Sequence, residues 1–469
     1  MSSNPRSRNA RSWQYWLLAS FLVVVFLTGG ASRIDPLSLV ILRPLSVLVC
    51  AAALVTLHRD HIRQGRWPLA IFAALFLLAL LHLVPLPPMV WHALPGRETI
   101  VTIDRITGLG DIWRPLTLTP MNGWHALASL FAPLAVLLLG LQLSADERFR
   151  LLPVVIILAA LSAVVGVFQV IGSAENPLYL YRITNNGWPV GLFANRNHGA
   201  LLLAMLFPLL ALFAATPAGT QETQSSRRII ALAATAMLLP LILVSGSRAG
   251  IFLAVFGLLS VPLLYRRPPN GRVVRRGERR LLSGIVPVAG VAAIGIIAVL
   301  MIVFSRAKSI DRLIENSASE DSRFDFWRVA IDMMWQYFPV GSGSGSFAEA
   351  YQMAEPAAML NLTYLNRAHN DWLETAVTFG LPGLIFMLAL LIGFAARCVR
   401  AWRRDQGGRR SVQFARLATV LLVMLALASV PDYPLRTPIM MCIAALCSLW
   451  LIDKDGGGSA RLPATGSAK

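Results

Sequence analysis

Apolar runs of membrane-spanning length are the strongest constraint on the fold of this chain. The stretches Trp16–Gly30, Leu69–Leu83 and Ile285–Phe304 carry no charged residue and approach or reach the roughly 20 residues that a transmembrane helix needs. Only helices and closed barrels satisfy the backbone inside lipid, and runs this long without alternating polarity predict helices. The sequence therefore predicts an all-α polytopic membrane protein. About twelve transmembrane helices are predicted, at 14–31, 37–57, 67–86, 122–143, 151–172, 198–215, 229–245, 249–265, 281–304, 373–396, 412–430 and 437–452.

The composition excludes an ordinary water-soluble enzyme. Of 469 residues, 56% are hydrophobic and 14% are charged, and the mean hydropathy is +0.62, whereas soluble domains carry about a quarter charged residues. In a membrane protein, the net charge of +18 is interpreted through the side of the membrane on which the arginines lie. We therefore predict no nucleic-acid partner. No disulfide framework or CxxC metal site is predicted, because all four cysteines lie in or beside apolar segments: Cys50, Cys398, Cys442 and Cys447.

The distribution of arginine predicts the orientation of the chain. Segment 266–280 carries seven arginines and one acid, segment 397–410 carries six arginines and one acid, and segment 305–372 has six basic and nine acidic residues. Because cytoplasmic loops are enriched in Lys and Arg, the first two segments are predicted to be cytoplasmic and the third to lie outside. Both chain termini are then cytoplasmic. A basic stretch before the first run superficially resembles a signal peptide, but we interpret that run as the first span; its arginines are Arg6, Arg8 and Arg11.

The predicted spans divide the chain into four parts. Spans one to nine with short loops occupy 1–304, a loop domain on the outside occupies 305–372, and spans ten to twelve occupy 373–452. The polar, Gly-rich tail 453–469 is predicted to be disordered in the cytoplasm. Aromatic and apolar residues at helical spacing predict that the loop domain contains helices packed on the membrane surface; they are Phe324, Trp327, Ile331 and Trp335.

Arg248 is the sharpest candidate for a functional residue. It lies in Ser247-Arg248-Ala249-Gly250 between two apolar runs, in a connection too short to hold it far from the bilayer. Arginine near hydrocarbon costs a few kcal/mol unless it snorkels or is paired. Two interpretations stay open. Arg248 either caps a tight helical hairpin at the interface or directs its bidentate donors at a phosphate.

His369 lies where the polar segment 305–372 meets the tenth predicted span. A helix N-terminus disfavours the cationic form of a histidine, which favours an imidazole that accepts a proton. The residue is interpreted either as a general base or as a structural histidine. Asp371 with Glu374 fits a helix-start pattern.

Two other polar elements have alternative interpretations. The glycine-rich run Pro339–Phe347 either cradles a phosphate through backbone N–H groups or joins two surface helices. The polar element Asn195-Arg196-Asn197-His198, before the sixth span, either contacts substrate or caps a helix. We predict no metal, because His and acidic residues on the outside show no ligand spacing.

In order and spacing, these motifs resemble the O-antigen ligase and polymerase family of bacterial envelope enzymes. The likeness covers roughly residues 190–385, and the predicted topology extends it over the chain. Ala249 departs from the family, which commonly has glycine after the arginine. The motifs are Gly191-Leu192-Phe193-Ala194-Asn195-Arg196-Asn197, Ser247-Arg248-Ala249-Gly250, Ser322-Arg323 through Trp327, the run Pro339–Phe347, and His369-Asn370-Asp371-Trp372-Leu373-Glu374 followed by Phe379-Gly380-Leu381-Pro382-Gly383.

The resemblance implies a GT-C-like membrane glycosyltransferase of the bacterial inner membrane. Such an enzyme transfers a glycan from undecaprenyl pyrophosphate to a lipid A-core or related acceptor on the periplasmic face, with no cofactor and no metal. By this likeness Arg248 and Arg323 hold the pyrophosphate, and His369 acts as base on the acceptor hydroxyl. Two arginines can stabilise a leaving pyrophosphate where a metal would otherwise do so. Membrane lipids are further partners, and secondary candidates for substrate contact are Arg196, Asn197, Arg328, Arg367, Asn370 and Arg436.

Two other functions stay open at this point. A polymerase of the same family joins lipid-linked repeats and needs the same arginines. A transporter of an anionic solute would use them as a binding site reached from both sides of the membrane. The large outside segment and the His369 motif favour an enzyme over a transporter.

Overall fold

The computed structural model describes residues 11–218, 220–265, 325–360, 364–403 and 410–452, which are predominantly helical. One antiparallel strand pair, β1 (Pro85–Leu86) with β2 (Arg114–Pro115), lies between α4 and α7. Short 3-10 turns lie at Ala357–Met359 and Pro434–Arg436. The helices are α1 (Trp13–Thr28), α2 (Ser38–Val55), α3 (Arg59–Gln64), α4 (Arg66–Leu81), α5 (Pro88–His92), α6 (Glu98–Ile106), α7 (Pro120–Ser129), α8 (Phe131–Gln142), α9 (Ala145–Phe149), α10 (Leu151–Ile171), α11 (Arg196–Ala215), α12 (Gln221–Val244), α13 (Arg248–Leu264), α14 (325–336), α15 (Phe347–Ala354), α16 (Asp371–Arg403), α17 (Arg410–Ala428) and α18 (Pro438–Ile452).

Helices occupy eleven of the twelve predicted spans, and the prediction of an all-α chain is confirmed for the described residues. The remaining run, 281–304, is the ninth predicted span and lies outside the described residues, so the count of twelve stays a prediction, as does the GT-C likeness. Four of the apolar helices, α1, α4, α13 and α18, are shorter than the rest. Within the described ranges, seven helical segments are long and apolar enough to cross a membrane: Ser38–Val55, Pro120–Gln142, Ala145–Ile171, Arg196–Ala215, Gln221–Val244, Asp371–Arg403 and Arg410–Ala428.

Contacts between helix termini define two ends of the bundle. At one end, the N–H of Ile439 in α18 donates to the carbonyl of Gly29 after α1 (3.2 Å), and the N–H of Asp371 in α16 donates to that of Ser429 after α17 (2.9 Å). We call this the site end. The helices that start there finish at the opposite end, where the Nε1 of Trp450 in α18 donates to the carbonyl of Arg148 (3.1 Å).

Helix α11 forms the centre of the bundle. It starts at the site end, where the N–H of Ala194 just before it donates to the carbonyl of Gly30 (3.1 Å), and almost every residue in it is buried. Glycines in α13 let this helix approach α11 closely and in the same direction, with Gly250 against Ala200 and Gly257 against the carbonyl of Ala204. The starts of α11 and α13 therefore lie together at the site end.

Residues 82–119, which the predicted division assigns to the loops of the span region, form α5, α6 and the strand pair at the site end. Arg97 holds this segment to the chain around α14. Its Nη2 donates to the carbonyls of Leu116 (2.8 Å) and Gly341 (3.4 Å), and its guanidinium lies over the rings of Trp91 and Tyr337. Burial lowers the pKa of Arg97 to about 10, so the side chain is still cationic at neutral pH.

The run Pro339–Phe347 is a buried loop that links α14 to α15 and inserts against α16. Its N–H groups are used within the protein: Ser342 donates to Val377 and Gly343 to Thr378, both at 2.9 Å. The N–H of Ser344 donates to Nδ1 of His82 (3.0 Å). Burial and the charge of Arg97 lower the pKa of His82 to about 4, which keeps this acceptor nitrogen unprotonated at neutral pH. The structure thus favours the connecting loop over the phosphate cradle.

We predict that Gly343→Ala destabilises the protein by at least about 2 kcal/mol. Gly343 has a φ of 104°, which side chains rarely adopt, and a Cβ there would lie 2.1 Å from Cα of Thr117. Gly393→Ala is the matched control, because a Cβ at this helical position meets nothing within 4 Å and alanine favours a helix by about 1 kcal/mol over glycine. Thermal unfolding in detergent compares the two. Equal stability of both variants would contradict the strain argument.

Candidate functional site

His369 lies in a rigid connection at the site end, directly before α16. Its φ of 50° is unusual for a residue other than glycine, and such strain persists only where the surroundings enforce it. The neighbours supply that enforcement. The carbonyl of Ala368 accepts from Nε1 of Trp327 (2.9 Å), and the side chain of Asn370 accepts from the N–H of Leu373 (3.0 Å) as a helix cap.

A buried carboxylate faces His369 and a second histidine. Oδ1 of Asp432 lies 3.6 Å from Nδ1 of His369 and 3.6 Å from Nε2 of His198, separations that suit ion pairs and exceed ordinary hydrogen bonds. Oδ2 of Asp432 accepts from the amides of Asn197 (2.7 Å) and Asn195 (3.3 Å). We call His198, His369 and Asp432 the histidine cluster.

Asp432 is ionised at neutral pH despite its burial. Burial alone would raise the pKa of its carboxyl, but the neighbouring His198 and His369 outweigh burial and hold that pKa well below its usual range. The Tyr433 ring packs edge-on against both imidazoles, with centroids at 4.9 Å from His369 and 5.2 Å from His198. A fixed anion beside an imidazole stabilises its protonated form, which is what a general base becomes after accepting a proton.

A second group of charges fixes the same segment from the α16 side. Arg436 donates from Nε to Asp371 (3.1 Å) and lies 3.4 Å from Glu374 through Nη2. Arg367 pairs with Glu374 at 2.9 Å and donates to the carbonyl of Ser32 (3.1 Å). We call Arg367, Asp371, Glu374 and Arg436 the ion cluster. The Asp371 and Glu374 pattern predicted as a helix start is thus also a set of buried ion-pair partners.

An amphipathic cavity of about 560 Å³ opens beside the ion cluster. Its polar part includes Arg367, Asp371 and Arg436, and its apolar wall is formed by side chains of α2, α4, α16 and α18. A space with charged groups at one end and apolar walls along its length suits a lipid with a polar headgroup. In the sequence, His369 lies between Arg367 and Asp371, which both line this cavity.

One segment of the chain matches a known protein family. Residues 232–388 match the family model of the O-antigen ligases. The resemblance found in the sequence is thereby confirmed, and the match indicates a membrane enzyme of the ligase or polymerase type. A comparison with curated proteins finds no match.

The ligase-family match contains Arg248, Arg323 and His369 but not two members of the histidine cluster, His198 and Asp432. The sequence places Asp432 and His198 on the outside, among residues that could line one cavity, but it predicts no contact of either residue with His369. The available signal was a carboxylate in the short connection Pro431–Pro434 between two apolar runs. Only the packing of α11 against the end of α17 shows what this carboxylate contacts.

Two of the predicted arginines lie at helix starts of the site end. Arg248 is the exposed first residue of α13, and Ser247 caps this helix by accepting from the N–H of Gly250 (2.9 Å). The guanidinium of Arg196, at the start of α11, lies over the ring of Trp188 at 4.3 Å. The close packing of α11 and α13 places Arg196, Asn197 and Arg248 at the same end as His369. Their contact with substrate stays a prediction.

The remaining candidates divide into three groups. Arg323 lies outside the described residues. Arg328 is exposed on α14 and pairs with Asp325 at 4.0 Å. Arg367 and Arg436 combine ion pairing with a position in the cavity lining. Among the described residues, no three His, Cys, Asp or Glu side chains are placed to hold a metal ion.

We predict that Asp432→Asn lowers the transfer rate roughly 10- to 100-fold, which is about 1.4 to 2.7 kcal/mol in the barrier. The amide removes the anion that favours protonated His369 while keeping the shape of the side chain. Asp325→Asn, an exposed acid on α14, is the control. An unchanged transfer rate in Asp432→Asn would leave Asp432 with a structural role only.

Proposed function

We propose that this protein is a membrane glycosyltransferase that transfers a glycan from undecaprenyl pyrophosphate to a lipid A-core or related acceptor, without a metal. One observation carries the proposal. His369 is held against the buried, ionised carboxylate of Asp432 beside an amphipathic cavity, in a segment that matches the O-antigen ligases.

His369 acts as the general base in this reaction. As its imidazole accepts the proton of the acceptor hydroxyl, the hydroxyl oxygen bonds to the anomeric carbon of the donor. The bond from that carbon to the pyrophosphate oxygen breaks at the same time, and the polyprenyl pyrophosphate leaves with the electron pair. Asp432 stabilises the imidazolium that forms, because its negative charge lies 3.6 Å from Nδ1.

Arginines stabilise the leaving group, and Arg248 lies at the start of a site-end helix. Arg248 and Arg323 hold the pyrophosphate, and Arg196 and Asn197 lie at the neighbouring helix start, where they add further donors. Guanidinium groups bind phosphate oxygens through paired N–H donors, and donors placed before the reaction lower its barrier without reorganisation.

The arginine-rich segments support a periplasmic position for the site end, in the bacterial inner membrane. Helix α13 ends at Leu264 and α16 ends at Arg403, both at the opposite end of the bundle. Segments 266–280 and 397–410, with seven and six arginines, follow or include these ends. By the positive-inside rule the opposite end is cytoplasmic, which places both chain termini in the cytoplasm and the histidine cluster on the other side.

The test compares two glycan pools in a strain that lacks the gene and in the same strain complemented with it. If the protein is a ligase, lipid A in the deletion strain carries no long glycan, and long chains accumulate on polyprenyl pyrophosphate. If the protein is a polymerase, single repeats accumulate instead. Unchanged pools in both strains would overturn the glycosyltransferase proposal.

A further inference from the structure

One arginine in the cavity lining, Arg43, makes no ion pair with a carboxylate among the described residues. Arg43 lies five residues past Ser38, the first residue of α2, about 7.5 Å along the helix at 1.5 Å per residue. It lines the cavity, and its Nε is buried without a hydrogen-bond partner. Charged groups in membrane segments are costly and mark functional sites when they face a cavity.

The groups around Arg43 leave its charge uncompensated. One nitrogen, Nη1, contacts Nδ1 of His125 in α7 at 2.8 Å, and an imidazole is not an anion. Three carboxylates of the described part of the chain line the cavity. Asp35 pairs with Arg33 and Asp371 with Arg436. The third, Glu349, accepts from Asn122 through one oxygen. An anion supplied from outside the chain would complete the site.

The same cavity also offers groups that suit sugar hydroxyls. Asn122, three residues before His125 in α7, donates to Oε1 of Glu349 in α15 (2.7 Å). The other carboxylate oxygen, Oε2 of Glu349, is buried without a partner. Leu39, Leu75 and Met387 belong to the apolar wall of this cavity. A headgroup with phosphate and hydroxyls, attached to apolar chains, matches all three features.

The position of the cavity indicates which substrate it takes. Among the described residues, its lining comes from the connection 31–35, from α2, α4, α7 and α8, and from residues 345–441, and none comes from α10 to α13. Arg248 and Arg196 begin α13 and α11, which do not line the cavity. If the donor pyrophosphate lies with Arg248, the second lipid substrate reaches His369 from the cavity.

We infer that Arg43 and His125 bind the headgroup phosphate of the acceptor glycolipid in this cavity. The inference rests on the proposed function, because it assumes a lipid-linked acceptor. The guanidinium supplies the charge and the fork of donors, and the imidazole supplies a neighbouring nitrogen. The site selects acceptors that carry phosphate close to the membrane.

The test measures lipid binding to the full-length protein in detergent by thermophoresis. The probes are a phosphorylated lipid A-core glycolipid, the same glycolipid after dephosphorylation, and undecaprenyl pyrophosphate. Arg43→Gln should weaken binding of the phosphorylated glycolipid at least tenfold and leave the other two affinities unchanged. Arg43→Lys keeps the charge and should recover part of the loss. The matched control is Arg105→Gln, an exposed arginine of α6 that is not in the cavity lining, and thermal unfolding checks that each variant is folded.

Each other outcome overturns a stated claim. Equal loss for the phosphorylated and dephosphorylated glycolipids would show that Arg43 shapes the cavity and does not bind phosphate. Loss for undecaprenyl pyrophosphate alone would make the donor the occupant. If the wild type binds undecaprenyl pyrophosphate and Arg43→Gln changes no affinity, the inference fails while the proposed function stands. If the wild type binds none of the probes, the proposed function fails as well.

Discussion

Replacing His369 by alanine is expected to lower the rate of glycan transfer roughly 10²- to 10⁴-fold, the usual contribution of a general base. The variant loses the group that accepts the hydroxyl proton, while Asp432 keeps its contacts with His198, Asn195 and Asn197. The measurement uses purified protein, a polyprenyl-pyrophosphate-linked glycan and an acceptor glycolipid, with products separated by chain length.

Two comparisons make the His369 prediction specific. His58→Ala removes an exposed histidine at the opposite end of the bundle, and its transfer rate should equal that of the wild type. His369→Gln keeps a polar side chain of similar size but does not accept the proton, so its rate should fall as far as that of the alanine variant. A loss of less than about threefold in both His369 variants would be far smaller than the loss expected for a general base. That result would remove His369 from the mechanism.

Replacing Arg436 by glutamine is expected to destabilise the protein by about 3–5 kcal/mol, because it leaves two buried carboxylates without their shared cation. The side chains of Asp371 and Glu374 are 9% and 1% exposed, so water does not replace the lost guanidinium. Thermal and denaturant unfolding in detergent measure the loss.

The control and a double variant separate charge from packing in the ion cluster. Arg328→Gln breaks an exposed pair with Asp325 and should cost less than about 1 kcal/mol. Glu374 keeps its ion pair with Arg367 in Arg436→Gln, so Asp371 is the carboxylate left without a cation. Adding Asp371→Asn removes that charge and should restore part of the stability. If the double variant is less stable than Arg436→Gln, packing rather than charge explains the effect.

The helices and the site differ in how far the sequence predicts them. Long apolar runs mark helices without reference to any partner, because lipid forces the backbone to bond within each segment. All eleven predicted runs that fall in the described part of the chain contain helices. The ligase-family resemblance was also readable from the order of its motifs. His369 was a candidate because it belongs to a motif of contiguous residues that resembles the family. The sequence places Asp432 and His198 on the same side as His369 but does not predict their contact with it, since they lie 63 and 171 positions from His369 and meet it only through the packing of α11, α16 and α17.

The role of Arg43 shows the same limit. In the sequence it is one charged residue near the start of an apolar run, and such residues usually reach back to the interface. The structure adds that His125 of α7 contacts Arg43. It also shows that Asp35 and Asp371, which line the same cavity, are paired with other arginines.

The sequence by itself determined that this chain is a helical membrane protein with a segment like that of the O-antigen ligases. Hydropathy, arginine distribution and local motifs are properties of contiguous residues, and the membrane acts on each run separately. The tertiary structure alone decided that the glycine-rich run is a buried linker and that Asp432 lies between two histidines. It also decided that Asp371 and Glu374 form ion pairs with arginines. These facts depend on which helix ends meet, and close packing between distant segments sets that arrangement.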